Sequence, residues 1–278
     1  MYRNKQRLTI TLDKDVLALL DDKIDGINLK NRSHAIEFFL RQNLYPTVKC
    51  AVVLAGNGKI KSTTGMVPKT LAEIDNKPVL AHLIERLHKY GIEKVIMIMG
   101  NQAESIQKYF KDGSHFGVRL LYITDKKQRG TASSLKLAAK HVASEPFLLA
   151  YGDVLADINL RDFFKFHFTH KGIASVAITS VHNPTHFGTI RMHGNQIVNF
   201  IEKPKDKEGI SHTVNAGMML FDPQTLPYLN KETRSLEKDV FPRLIEHGLL
   251  FGYNFSGQWF DVGVQEIYDR ASREWVTT

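Results

Sequence analysis

The sequence predicts an α/β protein in two parts, and three observations carry that expectation. From Lys49 onward, apolar strand-like runs alternate with helix-like stretches, the pattern of a three-layer α/β/α domain with a mixed, mostly parallel sheet. Two of those runs end in turns able to carry chemistry, Gly56-Asn57-Gly58 and Gly152-Asp153. Before residue 46 the pattern differs: one alternating strand is followed by two amphipathic helices. The chain therefore divides into residues 1–46 and 49–278, joined near Tyr45–Cys50.

In the first part, Arg7-Leu8-Thr9-Ile10-Thr11-Leu12 alternates strictly, so Leu8, Ile10 and Leu12 share one strand face. Asp13 is placed to cap a helix reaching about Asp25, with Val16, Leu17, Leu20 and Ile24 on one stripe and Gly26 as its stop. Ser33 is placed to cap a second helix carrying Ile36, Phe39, Leu40 and Leu44, which ends before Pro46. One strand cannot satisfy its own backbone groups, and two short helices cannot bury that much apolar surface. Pairing with the same segment of a second chain solves both problems and predicts a homodimer.

The run R-L-T-I-T-L-D-K-D-V followed by N-R-S-H-A-I resembles the ribbon-helix-helix family. That resemblance implies that Arg7, Thr9 and Thr11 enter the major groove of double-stranded DNA. It also implies that Asn31, Arg32 and Ser33 hold a phosphate at the second helix. Two uses fit this segment: sequence-specific DNA binding, or dimerisation alone with the outward threonines serving strand propensity.

In the second part, strands are expected at Ala51–Ala55, Lys94–Met99, Arg119–Ile123 and Pro146–Ala150, and helices at Val79–Tyr90, Ala103–Tyr109 and Ala132–His141. The aromatic stretch Phe163–Phe168 reads as a further helix packed on the sheet. Ligands of such sheets collect at the carboxyl ends of strands. There, glycines at 56 and 58 let a backbone approach a triphosphate, and Lys69 offers a mobile positive charge. No G-K-[ST] follows, which excludes a P-loop. The run Phe147–Ala150 delivers Asp153 where a metal–phosphate site would lie.

Seven pieces occur in one order: L-A-G-N-G; P-K-T-L-A-E-I-D-N-K-P-V-L; Arg129-Gly130-Thr131-Ala132; Tyr151-Gly152-Asp153; Phe200-Ile201-Glu202-Lys203-Pro204; Val214-Asn215-Ala216-Gly217; and Leu236–Pro242 preceding Trp259–Gly263. Together they resemble the sugar-1-phosphate nucleotidyltransferases from Lys49 to about Ala271, most closely the mannose-1-phosphate guanylyltransferases and glucose-1-phosphate enzymes. The resemblance implies a Rossmann-like (GT-A-like) fold and a nucleoside triphosphate and a sugar 1-phosphate as substrates. Leu54, Ala55, Gly56, Asn57, Gly58, Gly130 and Thr131 would hold the nucleotide. Asp153 and Asp261 would hold Mg²⁺, a hard cation that takes carboxylate oxygens. Gly188, Glu202, Lys203 and Asn215 would bind the sugar phosphate, and Lys61 and Lys69 join the two aspartates as catalytic groups.

One stretch departs from the family. Where its phosphate loop carries a Thr-Arg pair, this chain has Lys59-Ile60, with Lys61 next. Losing such a charged donor typically costs about 10²–10³ in rate, and lysine is a point charge rather than a fork. Two functions therefore stay open. One is a working nucleotidyltransferase (GTP with mannose, or dTTP or UTP with glucose) that carries a DNA-binding module. The other is a transcriptional regulator whose degenerate domain senses a nucleotide-sugar or sugar phosphate.

Composition narrows the setting. A formal charge of +8 permits anionic partners. No apolar run reaches the ~20 residues of a membrane helix. A single cysteine, Cys50, excludes an internal disulfide and fits a reducing cytoplasm. Twelve histidines invite a metal reading, notably His167 with His170 and His182 with His186, but Pro184 interrupts the second pair and no third ligand follows.

Overall fold

The structure, a computed structural model, describes residues 8–27, 29–44, 47–56, 58–142, 144–204 and 211–277, with backbone alone for 41–44. Arg7 and Asn57 lie outside the described residues, as does most of the Lys203–Glu208 loop. The chain forms two compact units, Met1–Pro46 and Thr47–Thr278.

The first unit holds α1 (Lys14–Asp21) and α2 (Arg32–Leu44). Helix α1 stops earlier than expected because Asp25 Oδ1 accepts from the amides of Ile27 and Leu29, both at 2.9 Å, folding the chain into a turn. The cap of α2 is Asn31 rather than Ser33: Asn31 Oδ1 accepts from His34 N at 2.9 Å, and Ser33 already lies inside the helix. Leu20, Leu29 and Ala35 form a small core with Leu17, Ile24, Ile36 and Phe39. Residues 8–12, within the strand expected at 7–12, have no sheet partner among the described residues of this single chain. Leu8, Ile10 and Leu12 stay exposed at 77%, 44% and 36%. An alternating segment becomes a strand only when a neighbour takes its N–H and C=O groups.

The second unit is built on a nine-stranded sheet. In chain order its strands are β1 (Cys50–Ala55), β6 (Lys94–Met99), β7 (Arg119–Thr124), β8 (Phe147–Tyr151), β10 (Ala174–Ser180), β11 (Gly188–His193), β12 (Gln196–Glu202), β13 (Thr213–Phe221) and β14 (Leu250–Asn254). Three two-stranded pieces complete the numbering: β2 (Lys59–Ser62) with β3 (Gly65–Pro68), β4 (Glu73–Ile74) with β5 (Lys77–Pro78), and β9 (Val154–Ala156) with β15 (Trp259–Asp261). The order across the sheet is β10-β14-β12-β11-β13-β8-β1-β6-β7, with β10 also pairing β13.

Only β8, β1, β6 and β7 form the continuous parallel half. Elsewhere β10–β14 is parallel, and β8–β13, β10–β13, β11–β12, β11–β13 and β12–β14 are antiparallel. The sheet is mixed, as expected, but antiparallel pairings are as prominent as parallel ones, so it is not mostly parallel. Its first half is linked by helices, which parallel crossovers require, whereas β11 and β12 are joined by a tight turn at Gly194, φ +58°.

Helices cover both faces. Alternate residues of β1 and β6 point opposite ways: Ala51, Val53, Val95 and Met97 join one core cluster, Val52, Ile96 and Ile98 the other. The first cluster takes in α3 (Val79–Lys89), α4 (Ala103–Phe110) and α6 (Leu160–Thr169), the last bringing Phe163 and Phe164 from the aromatic stretch. The second takes in α5 (Thr131–Ala138) and α7 (Phe241–Glu246). Helix α8 (Gln265–Glu274) packs through Tyr268 and Ala271 on a third cluster with Ile60 and Phe260. Cys50 is half-buried at the start of β1, where burial pushes its thiol up to about 11 and leaves it unreactive. His167 is a core residue, its Nδ1 at 2.9 Å from Ser175 Oγ.

Candidate active site

Each parallel strand ends on the same edge of the sheet, and a cleft of about 270 Å³ opens there. Leu54 and Gly56 at the end of β1, Met99 and Gly100 at the end of β6, and Tyr151 and Asp153 at the end of β8 meet Gly130, Thr131 and Ser134 at the start of α5. Gly58 sits just beyond, where its backbone carbonyl accepts from Lys69 N at 3.0 Å. A Cβ at Gly58 would lie 2.4 Å from Lys69 Cδ, so the glycine makes room for the lysine stem.

The floor of the cleft is shaped by Asp125, a residue not singled out from the sequence. Its Oδ1 accepts from Lys127 N and Gln128 N, and its Oδ2 accepts from Ser134 Oγ at 2.7 Å. This carboxylate ties the loop after β7 to α5. The signal available for it was its place at a strand's carboxyl end, shared by many turn aspartates. Gly130 has φ +123°, and a Cβ there would lie 2.5 Å from the Arg234 carbonyl oxygen. That same carbonyl accepts from Ala132 N and Ser133 N, at 2.9 and 3.2 Å. The start of α5 is therefore partly satisfied by protein, and a ligand finds fewer open amides than a bare helix end offers. The Thr131 hydroxyl is also committed: it donates to Glu237 Oε2 at 2.7 Å and accepts from Leu236 N at 2.8 Å.

Asp153, Asp261 and Lys69 converge beside this cleft. The short pairing of β9 with β15 sets Asp261 opposite Val154, one residue beyond Asp153. A Cβ built at Gly263 would lie 2.7 Å from Asp261 Oδ1, 2.9 Å from Lys69 Nζ and 3.4 Å from Asp153 Oδ2. Lys69 Nζ donates to the Gly263 carbonyl at 2.8 Å, and Gly263 N donates to Asp261 Oδ1 at 2.8 Å. Burial pushes the Asp153 carboxyl above the usual carboxylate range, opposed by the charges of Lys69 and Lys203. Asp261 rises to about 6, first from burial and then from the charge of Asp153. Two half-buried carboxylates around a space that only glycine leaves open, each raising the other's energy, fit a divalent cation.

The residues expected on the sugar side lie on the antiparallel half. Gly188 and Glu202 are paired across β11 and β12. A Cβ at Gly188 would lie 2.3 Å from Phe200 Cζ and 2.9 Å from Glu202 Oε2, so this glycine also makes room for those side chains. Burial and the charge of Glu237 push the Glu202 carboxyl up. Lys203 takes φ +47° and anchors through its amide to the Phe187 carbonyl at 3.1 Å. Asn215 Oδ1 accepts from Gly217 N at 2.9 Å, which leaves its NH₂ to offer a ligand.

Lys61 is not drawn into this group. It lies on the β2–β3 hairpin, where its amide donates to Gln265 Oε1 at 3.1 Å and its carbonyl accepts from Gln265 Nε2 at 3.0 Å. Ile60 is buried beneath, and the Lys61 side chain is exposed, with no hydrogen bond or ion pair to a described residue. In the first unit, Thr9 and Thr11 are exposed. Arg32 donates to Asp21 through Nε at 2.7 Å and Nη2 at 2.6 Å, an exposed two-point pair.

Residues 51–277 match the nucleotidyl transferase family model. Among curated relatives, the mannose-1-phosphate guanylyltransferase catalytic subunit beta of Drosophila melanogaster is 32% identical over 220 residues, covering 77% of this chain and 59% of that protein. The mannose-1-phosphate guanyltransferase of Saccharomyces cerevisiae is 30% identical over 227 residues, covering 78% and 61%. The chain thus spans about three fifths of the length of the curated relatives it matches. Among solved structures, a putative glucose-1-phosphate thymidylyltransferase from Bacillus anthracis superposes with a TM-score of 0.73 at 24% identity, covering 81% of this chain and 94% of that one.

Proposed function

We propose that this chain, which belongs to the nucleotidyl transferase family, joins a nucleoside triphosphate to a hexose 1-phosphate and releases pyrophosphate. The observation that carries this reading is the convergence of Asp153, Asp261 and Lys69 on Gly263 at the carboxyl ends of β1 and β8. In-line attack by a sugar-phosphate oxygen on the α-phosphorus needs positioning and charge neutralisation rather than a covalent intermediate. Mg²⁺ held by Asp153 and Asp261 would neutralise charge on the phosphates and orient them. Lys69, pinned by Gly263, supplies a fixed positive charge beside them. Glu202 and the Asn215 NH₂ provide an acceptor and a donor for sugar hydroxyls, and Lys203 a charge for the sugar phosphate. Gly130 keeps the nucleotide loop in a backbone conformation that a side chain disfavours. The names of the curated relatives favour GTP and mannose 1-phosphate, with dTTP or UTP and glucose 1-phosphate as the alternative pairing.

The test is a panel of triphosphates and sugar 1-phosphates with Mg²⁺ and a pyrophosphate readout. Within it, Gly130→Ala should raise the nucleotide KM about 5- to 150-fold, because strain at such a position is of order 1–3 kcal/mol. An unchanged KM would detach this loop from the nucleotide.

A second reading is favoured by the hairpin. Lys59-Ile60 stands where a Thr-Arg pair is expected, and the exposed Lys61 ammonium has no described partner holding it toward the carboxylates. On that reading the domain senses a nucleotide-sugar or sugar phosphate without turnover. Tight binding of GDP-mannose with no pyrophosphate release from any pair would establish it. The exposed row Leu8, Ile10 and Leu12 further supports pairing of the N-terminal unit with a second copy as a two-stranded ribbon, with Arg7, Thr9 and Thr11 facing DNA. A monomer in solution would sink the pairing, and equal affinity for all duplex sequences would leave dimerisation alone.

A further inference from the structure

Glu237 has no role in the reaction as described so far. It is buried, and its carboxylate accepts from three hydroxyls: Thr131 Oγ1 and Ser235 Oγ, each at 2.7 Å from Oε2, and the Tyr151 phenol at Oε1. These hydroxyls come from the start of α5, the turn before residues 236–240, and the end of β8. An ionised carboxylate only accepts, so all three protons point at Glu237.

The consequence is mechanical. Thr131 follows Gly130 in the loop assigned to the nucleotide, and Tyr151 stands two residues before Asp153. Helix α5 and strand β8 are separate elements whose relative placement within the cleft must hold to a fraction of an ångström for in-line transfer. One charged acceptor bonded to both removes that freedom. The Leu236 amide adds a third tie, through the Thr131 oxygen.

We propose that Glu237 is a positioning residue: its carboxylate locks the nucleotide loop at Gly130–Thr131 to the strand end that carries Asp153. This rests on the nucleotidyl transfer reading. Gln at 237 keeps the volume but turns an NH₂ toward one of the hydroxyls, which must then reverse. Glu237→Gln should lower kcat/KM about 10- to 100-fold, the range for hydrogen bonds to a charged group, while the unfolding midpoint moves by only a few degrees. A kcat/KM within twofold of the natural chain overturns the proposal.

A mutant cycle separates positioning from general packing. Thr131→Val and Tyr151→Phe should be strongly non-additive in the natural chain and additive in the Glu237→Gln background. Additive effects in the natural chain overturn the proposal, and they decide it alone if Glu237→Gln does not fold. If no substrate pair releases pyrophosphate, nucleotidyl transfer fails on its own, and the same cycle is read in GTP affinity by calorimetry. Absence of GTP binding to the natural chain sinks both.

Discussion

Asp153→Asn is expected to lower Mg²⁺-dependent pyrophosphate release about 10³-fold or more, with the protein still folded. The magnitude follows from removing one of the two carboxylates proposed to hold the cation, a charge aimed where the transferred phosphate would lie. Asparagine keeps the volume and one oxygen but loses the charge that Lys69 and Lys203 face. The two halves of the effect should separate. In the absence of Mg²⁺ the variant should be at least as stable as the natural chain, because burial and the neighbouring carboxylate both disfavour a charge on this pair. Added Mg²⁺ should raise the melting temperature of the natural chain much more than that of the variant. Turnover within tenfold of the natural chain, or equal stabilisation by Mg²⁺, would show that the cation sits elsewhere.

Lys69→Met should cost about 10²–10³ in kcat, since it deletes a positive charge fixed beside the phosphates. It should also change how stability depends on pH. The carboxyls of Asp153 and Asp261 titrate higher in the folded chain than in the unfolded one, Asp261 moving from 3.8 to about 6. Across that window the folded state keeps protons that the unfolded state has lost. Unfolding free energy without metal therefore falls as pH rises from about 4 to about 6, by an amount of order 2 kcal/mol. Lys69 opposes this rise in both groups. Its loss should extend the fall to higher pH and lower the metal-free melting temperature at pH 7, with Mg²⁺ restoring part of the difference. Urea unfolding at several pH values, with and without Mg²⁺, checks the sign. Stability that rises across pH 4–6 in the metal-free natural chain would contradict the paired-carboxylate account.

Much of the architecture was legible because it rests on local pattern. The strand Lys94–Met99 has the bounds its apolar run predicts, and α3 begins at Val79 as expected. The antiparallel half was not legible, because pairing direction depends on which strands meet across the fold, and short apolar runs do not carry that. Capping shows the same limit on a smaller scale. Ser33 and Asn31 are both good caps by type, and only backbone geometry chose Asn31.

At the site, the sequence by itself determined which chemistry was available: carboxylates at 153, 202 and 261, lysines at 69 and 203, and glycines at 56, 58, 130 and 188. Gly56, Gly58, Lys69 and Asp153 follow apolar strand runs, a local pattern, whereas Gly130, Gly188, Glu202, Lys203 and Asp261 were legible only through the resemblance of their motifs to a known family. Only the tertiary structure decided which of them act together. It set Asp153 beside Asp261 through the short β9–β15 pairing, drew Lys69 onto Gly263, left Lys61 on an exposed hairpin, and added Asp125 and Glu237. The physical reason is that Coulomb and hydrogen-bond energies depend on separations of a few ångströms. Residues 108 apart in sequence, such as Asp153 and Asp261, reach such separations only when the sheet has brought them there.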